Sequence, residues 1–213
     1  MPSSFVYIDA LISAYPALAP TRDSVERTTA ALVAGFRSCG KLLVCGNGGS
    51  CADSDHIVGE LVKGFLKDRP LPEAAQQAIR DALPEGGRAL AAALQGGLPA
   101  ISLAAHASLL TAFANDVRAD YAFAQQVVAY GRRGDMLLGI STSGDAANVA
   151  FAAAAARAAG MTTICLTGAT GGRLRHLVDI AVCVPATETL RIQELHLPVY
   201  HALCAEVEAA LFA

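Results

Sequence analysis

The sequence lacks any uninterrupted apolar run of the roughly 18 residues that a membrane-spanning helix needs, because charged residues or glycines break its most apolar stretches. No spanning segment is expected. Basic clusters are equally scarce. None is longer than Arg132-Arg133, and a net charge of −3 with a pI near 5.9 leaves no electrostatic footprint for nucleic acid. Met1 to Tyr15 carries Asp9 and no Lys or Arg, so the basic start of a secretory leader is missing and a cytoplasmic location is expected. The six cysteines, Cys39, Cys45, Cys51, Cys165, Cys183 and Cys204, form no Cys-x-x-Cys pair. They read as small hydrophobes of a reduced chain, with Cys51 set apart by its place beside a candidate ligand loop. Charged residues make up only 16% of the chain against 54% hydrophobic, and mean hydropathy is +0.42. One compact monomer hides that much apolar surface with difficulty, so an oligomer is expected.

A length of 213 residues suits one large domain, and residues 1–213 are read as such. Its first 39 residues form a helical segment. Phe5, Ile8, Leu11, Ile12 and Tyr15 recur at helical spacing until Pro16 and Pro20 close the run. A second helix is expected after Asp23, with Glu26 as its capping-box partner and Gly40 at its end. From Lys41 the pattern changes to short apolar runs at 42–45, 100–103, 136–140, 162–166 and 180–184, separated mostly by helix-length segments. Strands alternating with helices imply crossover connections and a parallel sheet. A Pro- and Gly-bracketed stretch at about 66–98 reads as a helical excursion, with helices predicted at 73–83 and 88–94. The chain closes on a long helix from Gln193 to Phe212, where Pro198 is tolerable only in the first turns or at a kink.

Two strands end in turns rich in glycine and hydroxyls: Gly46-Asn47-Gly48-Gly49-Ser50 and Ser141-Thr142-Ser143-Gly144. In open α/β sheets ligands sit at the carboxyl ends of strands, where both turns fall. The second opens an Ala-rich helix at 145–159, so amides and hydroxyls converge there on an anion, and phosphate is the natural guest. A dinucleotide is disfavoured, since the first turn is not Gly-x-Gly-x-x-Gly and the run at 100–103 ends without an acidic residue for a ribose. His56 and Glu60, four apart on the helix after the first turn, share one face at metal-ligand or acid/base spacing. Gln193 and His201 lie within about 80° of each other on the last helix but roughly 12 Å apart along its axis. One ion reaches both only with long reach or a distortion; the alternative is a site completed by another subunit.

These residues resemble the SIS (sugar isomerase) domain superfamily, and within it the sedoheptulose 7-phosphate, or phosphoheptose, isomerases. Four motifs match in order: Gly46 to Ser50 leading to His56 and Glu60; Ala114-Asn115-Asp116; Gly139 to Gly144; and Arg191-Ile192-Gln193-Glu194-Leu195-His196 leading to His201. The resemblance implies a three-layer α/β sandwich with a five-stranded parallel sheet, N-terminal helices, a long C-terminal helix, and a homotetramer with sites between subunits. It also implies zinc on His56, Glu60, Gln193 and His201, with Glu60 and His201 as base and acid. Asn47, Gly48, Gly49, Ser50, Glu60, Asn115, Asp116, Ser141, Thr142, Ser143 and Gln193 would contact the sugar phosphate. The chain departs from the pattern at Ala146, where a further phosphate-binding Ser is usual, at Leu190, where Asp is common, and in its longer excursion. Expected chemistry is aldose–ketose isomerisation through an enediol(ate). A non-catalytic sugar-phosphate-binding module and another sugar-phosphate enzyme of the superfamily are the alternatives.

Overall fold

A computed structural model describes residues 5–212. Helices α1 (Val6–Ala14) and α2 (Arg22–Arg37) precede β1 (Leu42–Gly46) and α3 (Gly49–Val62). The excursion supplies α4 (Glu73–Ala82) and α5 (Gly87–Ala93) before β2 (Ala100–Ser102). Then come α6 (Ala107–Phe113), a π-helical turn (Ala114–Arg118), α7 (Ala122–Tyr130), β3 (Met136–Ser141), α8 (Ala147–Ala158), β4 (Thr162–Thr167), β5 (Ile180–Cys183) and α9 (Thr189–Leu211).

All five strands pair in parallel, in the order β2-β1-β3-β4-β5. The expected helix-flanked parallel sheet is present. Strands β1 and β3 are buried along their whole length, which is why they read as continuous apolar runs rather than alternating ones. Alternate residues still face different cores. Leu42, Val44, Met136 and Leu138 pack with α1, α2, α3 and α9, whereas Leu43, Cys45 and Leu137 pack with Phe123 and Val127 of α7 and the alanines of α8. Sheet order reverses between β1 and β3, and the crevice outside their carboxyl ends is where such sheets take ligands.

Two local expectations are corrected. Helix α2 starts at Arg22, because a 3₁₀ turn from Pro16 to Thr21 runs straight into it. Asp23 is thus already helical and caps nothing, and Glu26 accepts from Arg22 Nε at 2.7 Å instead of closing a capping box. Helix α9 starts at Thr189 rather than at the expected Gln193, which places Pro198 in its third turn, and the helix continues through it to Leu211. Within the excursion α4 lies on the surface and buries no residue, and Leu83, Leu90 and Leu94 stay exposed, whereas Arg69, Ala91 and Leu98 are buried.

Candidate active site

The β1–α3 and β3–α8 turns meet at the reversal point. Asn47, Gly48, Gly49, Ser50, Ser141, Thr142, Ser143, Ala146, Thr189 and Gln193 line one pocket of about 360 Å³. Glycine is required here twice. Gly48 has φ of +56°, and Gly144 has φ of +72° with Gly171 backbone packed where a side chain would go. Ser143 Oγ accepts from the Asp145 amide at 3.1 Å and shapes the second turn. Helix α8 follows an Ala146 N-cap that offers no side-chain cap; Asn148 Oδ1 takes the Val149 amide at 3.0 Å, which leaves the Ala147 and Asn148 amides for an anion. Asn47 and Asn148 exchange two amide hydrogen bonds of 2.9 and 2.8 Å across the pocket mouth, tying one turn to the other helix.

Gln193 reaches this pocket from α9, its amide lying against Gly49 where any side chain would collide. Two turns down α3, a second constellation forms. His56 Nε2 lies 3.1 Å from Glu60 Oε1, and Lys63 Nζ holds Glu60 Oε2 at 3.2 Å. The His201 ring stands edge-on to His56 with centroids 5.0 Å apart. Burial pushes the His201 pKa down, and the neighbouring His56 adds to this, with Glu60 opposing. Burial thus favours the neutral ring of His201, and its Nε2 is buried without a hydrogen-bond partner. Tyr200 OH lies 3.0 Å from His56 Nδ1 and donates to Asp53 Oδ1 at 3.2 Å. Burial raises the Asp53 pKa against the opposing pull of Tyr200 and His56.

Below Glu60 the backbone is clamped. Arg69, fully buried, donates to the carbonyls of Glu60 and Leu61 at the end of α3 and to Glu208 Oε1 at 2.7 Å. Glu208 also accepts from the Phe65, Leu66 and Lys67 amides. Burial alone would raise its pKa, but these bonds and Arg69 outweigh it and hold the carboxyl below its ordinary value. The clamp fixes where α3 ends, and hence where Glu60 points.

Of the four residues the resemblance assigns to zinc, His56, Glu60 and His201 come together, while Gln193 stays about two turns back along α9 at the anion pocket. Two imidazoles and a carboxylate are zinc-type donors, and an orphaned, buried His201 Nε2 fits a ligand position. Among the described residues no three His, Cys, Asp or Glu side chains are placed closely enough to hold an ion as they stand, so these donors would have to draw together around it. Asn115 and Asp116 do not reach the pocket of their own chain. They sit exposed on the π-helical turn, where Asn115 Nδ2 donates to Asp116 Oδ1.

Residues 75–168 match the family model described as SIS domain. A phosphoheptose isomerase of Roseiflexus sp. is 46% identical over 83% of this chain and 77% of its own length. One from Thiobacillus denitrificans is 41% identical over 94% and 88%. The chain belongs to the phosphoheptose isomerase family. Solved family members superpose accordingly. The phosphoheptose isomerase GmhA from Neisseria gonorrhoeae is 31% identical with a TM-score of 0.68 over 94% of this chain and 98% of that one. The Francisella tularensis phosphoheptose isomerase is 29% identical, with a TM-score of 0.74 over 94% and 95%.

Within this isomerase fold, sequence reasoning missed Asp53, Lys63, Asn148 and Tyr200. Asp53 was within reach, since it lies three residues before His56 on one helix face. Tyr200 was not, because only the packing of α9 on α3 brings its hydroxyl to His56. No helix of the described residues is long and apolar enough to cross a membrane.

Proposed function

We propose that this chain interconverts sedoheptulose 7-phosphate and a heptose 7-phosphate through an enediol(ate), with zinc held by His56, Glu60 and His201 and with Gln193 facing the sugar from the cradle rather than joining the metal. The observation that carries it is the pairing of an anion cradle with an acid–base cluster on the same two helices. His56 follows Gly49 by seven residues of α3, about 10 Å along the axis, a gap that a sugar chain with a terminal phosphate can bridge. Ser141, Thr142, Ser143 and the α8 amides hold the phosphate, with Asn47, Gly48, Gly49 and Ser50 closing the cradle's other side. Asn115 and Asp116 contact sugar presented by another copy.

Glu60 takes the proton from C1 of the ketose as the C1=C2 bond of the enediol forms. It returns that proton to C2, while His201 moves a proton between the two oxygens. Lys63 and the Arg69 clamp keep the carboxylate in place. A bound zinc ion supplies polarisation of the carbonyl or fixes the donor side chains.

A homotetramer is part of the same proposal. Tyr7, Leu11, Tyr15, Phe65, Leu66 and Pro198 form an apolar hollow against His201, and Asn115 with Asp116 lies outside its own chain's pocket. A cytoplasmic location is supported by six free cysteines, which suit a reducing compartment.

The test is a panel of C5 to C7 ketose phosphates, assayed with and without chelator, alongside Glu60→Gln. Turnover should be highest on the C7 substrate and fall with chelation. Glu60→Gln should lower kcat by roughly 10² to 10⁴ and abolish exchange of substrate hydrogen with deuterated water. A Glu60→Gln protein that retains zinc and exchanges at the wild-type rate removes Glu60 as the base.

A further inference from the structure

With Asp53 ionised and the His56 ring neutral, the donor count around His56 has one consistent solution. Tyr200 carries a single hydroxyl proton, and a carboxylate only accepts. Asp53 Oδ2 is buried with no hydrogen-bond partner, so Tyr200 is what satisfies this carboxylate through Oδ1 at 3.2 Å. Were the Tyr200 proton turned to His56, both Asp53 oxygens would be left unpaired, at a cost that burial makes large. With that proton committed, Tyr200 oxygen can only accept from His56 Nδ1 across 3.0 Å. In a neutral ring the proton then sits on Nδ1 and the lone pair on Nε2.

That lone pair faces Glu60 Oε1 at 3.1 Å. Two acceptors at that distance repel unless Nε2 takes a second proton or a cation lies between them, and Lys63 holds only the other oxygen of Glu60. We propose that Tyr200, itself held by Asp53, is a positioning residue that locks His56 in its Nδ1–H form and so presents Nε2 to a cation shared with Glu60 and His201. This deepens the zinc reading by naming what prepares the ligand. Outer partners of metal-binding histidines set tautomer and ring orientation in just this manner, though commonly through a carboxylate or carbonyl rather than a tyrosine. Tyr200 is 1% exposed and fixed by packing in the core, so the device is rigid.

The experiment is ¹⁵N-histidine NMR of the metal-free full chain above about pH 8, where an ordinary imidazole is neutral, with His56 assigned by its loss in His56→Gln. Wild type should show His56 protonated at Nδ1. Tyr200→Phe, which keeps the ring and deletes the hydroxyl, should shift the balance toward Nε2–H and weaken zinc binding by 10- to 100-fold. Asp53→Asn, which can still offer an oxygen to Tyr200, should retain more of the Nδ1–H form than Asp53→Ala. A wild-type His56 protonated at Nε2 overturns the proposal, and this needs no variant to fold. So does an unchanged tautomer balance in Tyr200→Phe. An Nδ1–H ring in a wild-type protein that takes up no zinc supports the relay and removes the zinc reading instead.

Discussion

At the scale of single residues, burial sets what each histidine can do. His196, about one and a half turns before His201 on α9, is wholly buried, and neither ring nitrogen makes a well-formed hydrogen bond. Burial pushes its pKa down from 6.5 to about 4, with the Thr167 backbone opposing slightly. The sign follows from linkage. Between pH 6.5 and 4 the unfolded chain binds a proton that the folded chain refuses, so stability present above pH 6.5 is lost as pH falls toward 4. That loss amounts to roughly 3 kcal/mol when the window is fully crossed. His196→Leu should therefore flatten the pH dependence of urea unfolding in this window relative to wild type. Equal slopes for the two proteins would show that His196 is protonated in the fold. The burial of His196 was not legible in the sequence, because spacing along α9 does not say which face meets the sheet.

At the scale of elements, strands were easier to read than helix starts. Central parallel strands are buried on both faces, so their composition alone marks them, and all five apolar runs became strands. Caps depend on what precedes them. Asp23 has the right side chain and the right spacing to Glu26, yet the 3₁₀ turn at Pro16–Thr21 starts the helix earlier and makes both irrelevant as caps. The turn after β3 was readable for the opposite reason, since its hydroxyls and Gly144 are demanded by local geometry. If this turn holds phosphate, changing Ser141 and Ser143 together to Ala should raise KM for the phosphorylated sugar about tenfold or more, from the loss of two hydrogen bonds to a charged group. Steady-state kinetics checks it, and an unchanged KM puts the phosphate elsewhere.

At the scale of the whole molecule, much apolar surface remains uncovered. Val6 is 61% exposed, Leu66 53% and Leu197 41%; Leu66 lines the hollow beside His201, and Leu197 adjoins Pro198, which lines it too. Such surface near a site suits an interface. Multi-angle light scattering on the active enzyme should report a tetramer, with Leu66→Glu shifting it toward smaller species and lowering activity. A fully active monomer would mean that each chain completes its own site and that Asn115 and Asp116 serve no neighbour.

The sequence by itself determined the layer architecture and the two ligand turns, because buried parallel strands and left-handed glycines are local requirements written into composition. It also placed His56 with Glu60, since four residues on a helix is a fixed distance. Tertiary structure alone decided that β1 and β3 lie side by side, which turns two separate loops into one pocket. It likewise decided that α9 packs on α3 so that Tyr200, Asp53 and His201 surround His56, while Gln193 is left at the cradle. Those are contacts between residues roughly ninety or more positions apart, fixed by how the strands pair and the helices share one sheet face, and no periodicity along the chain encodes them.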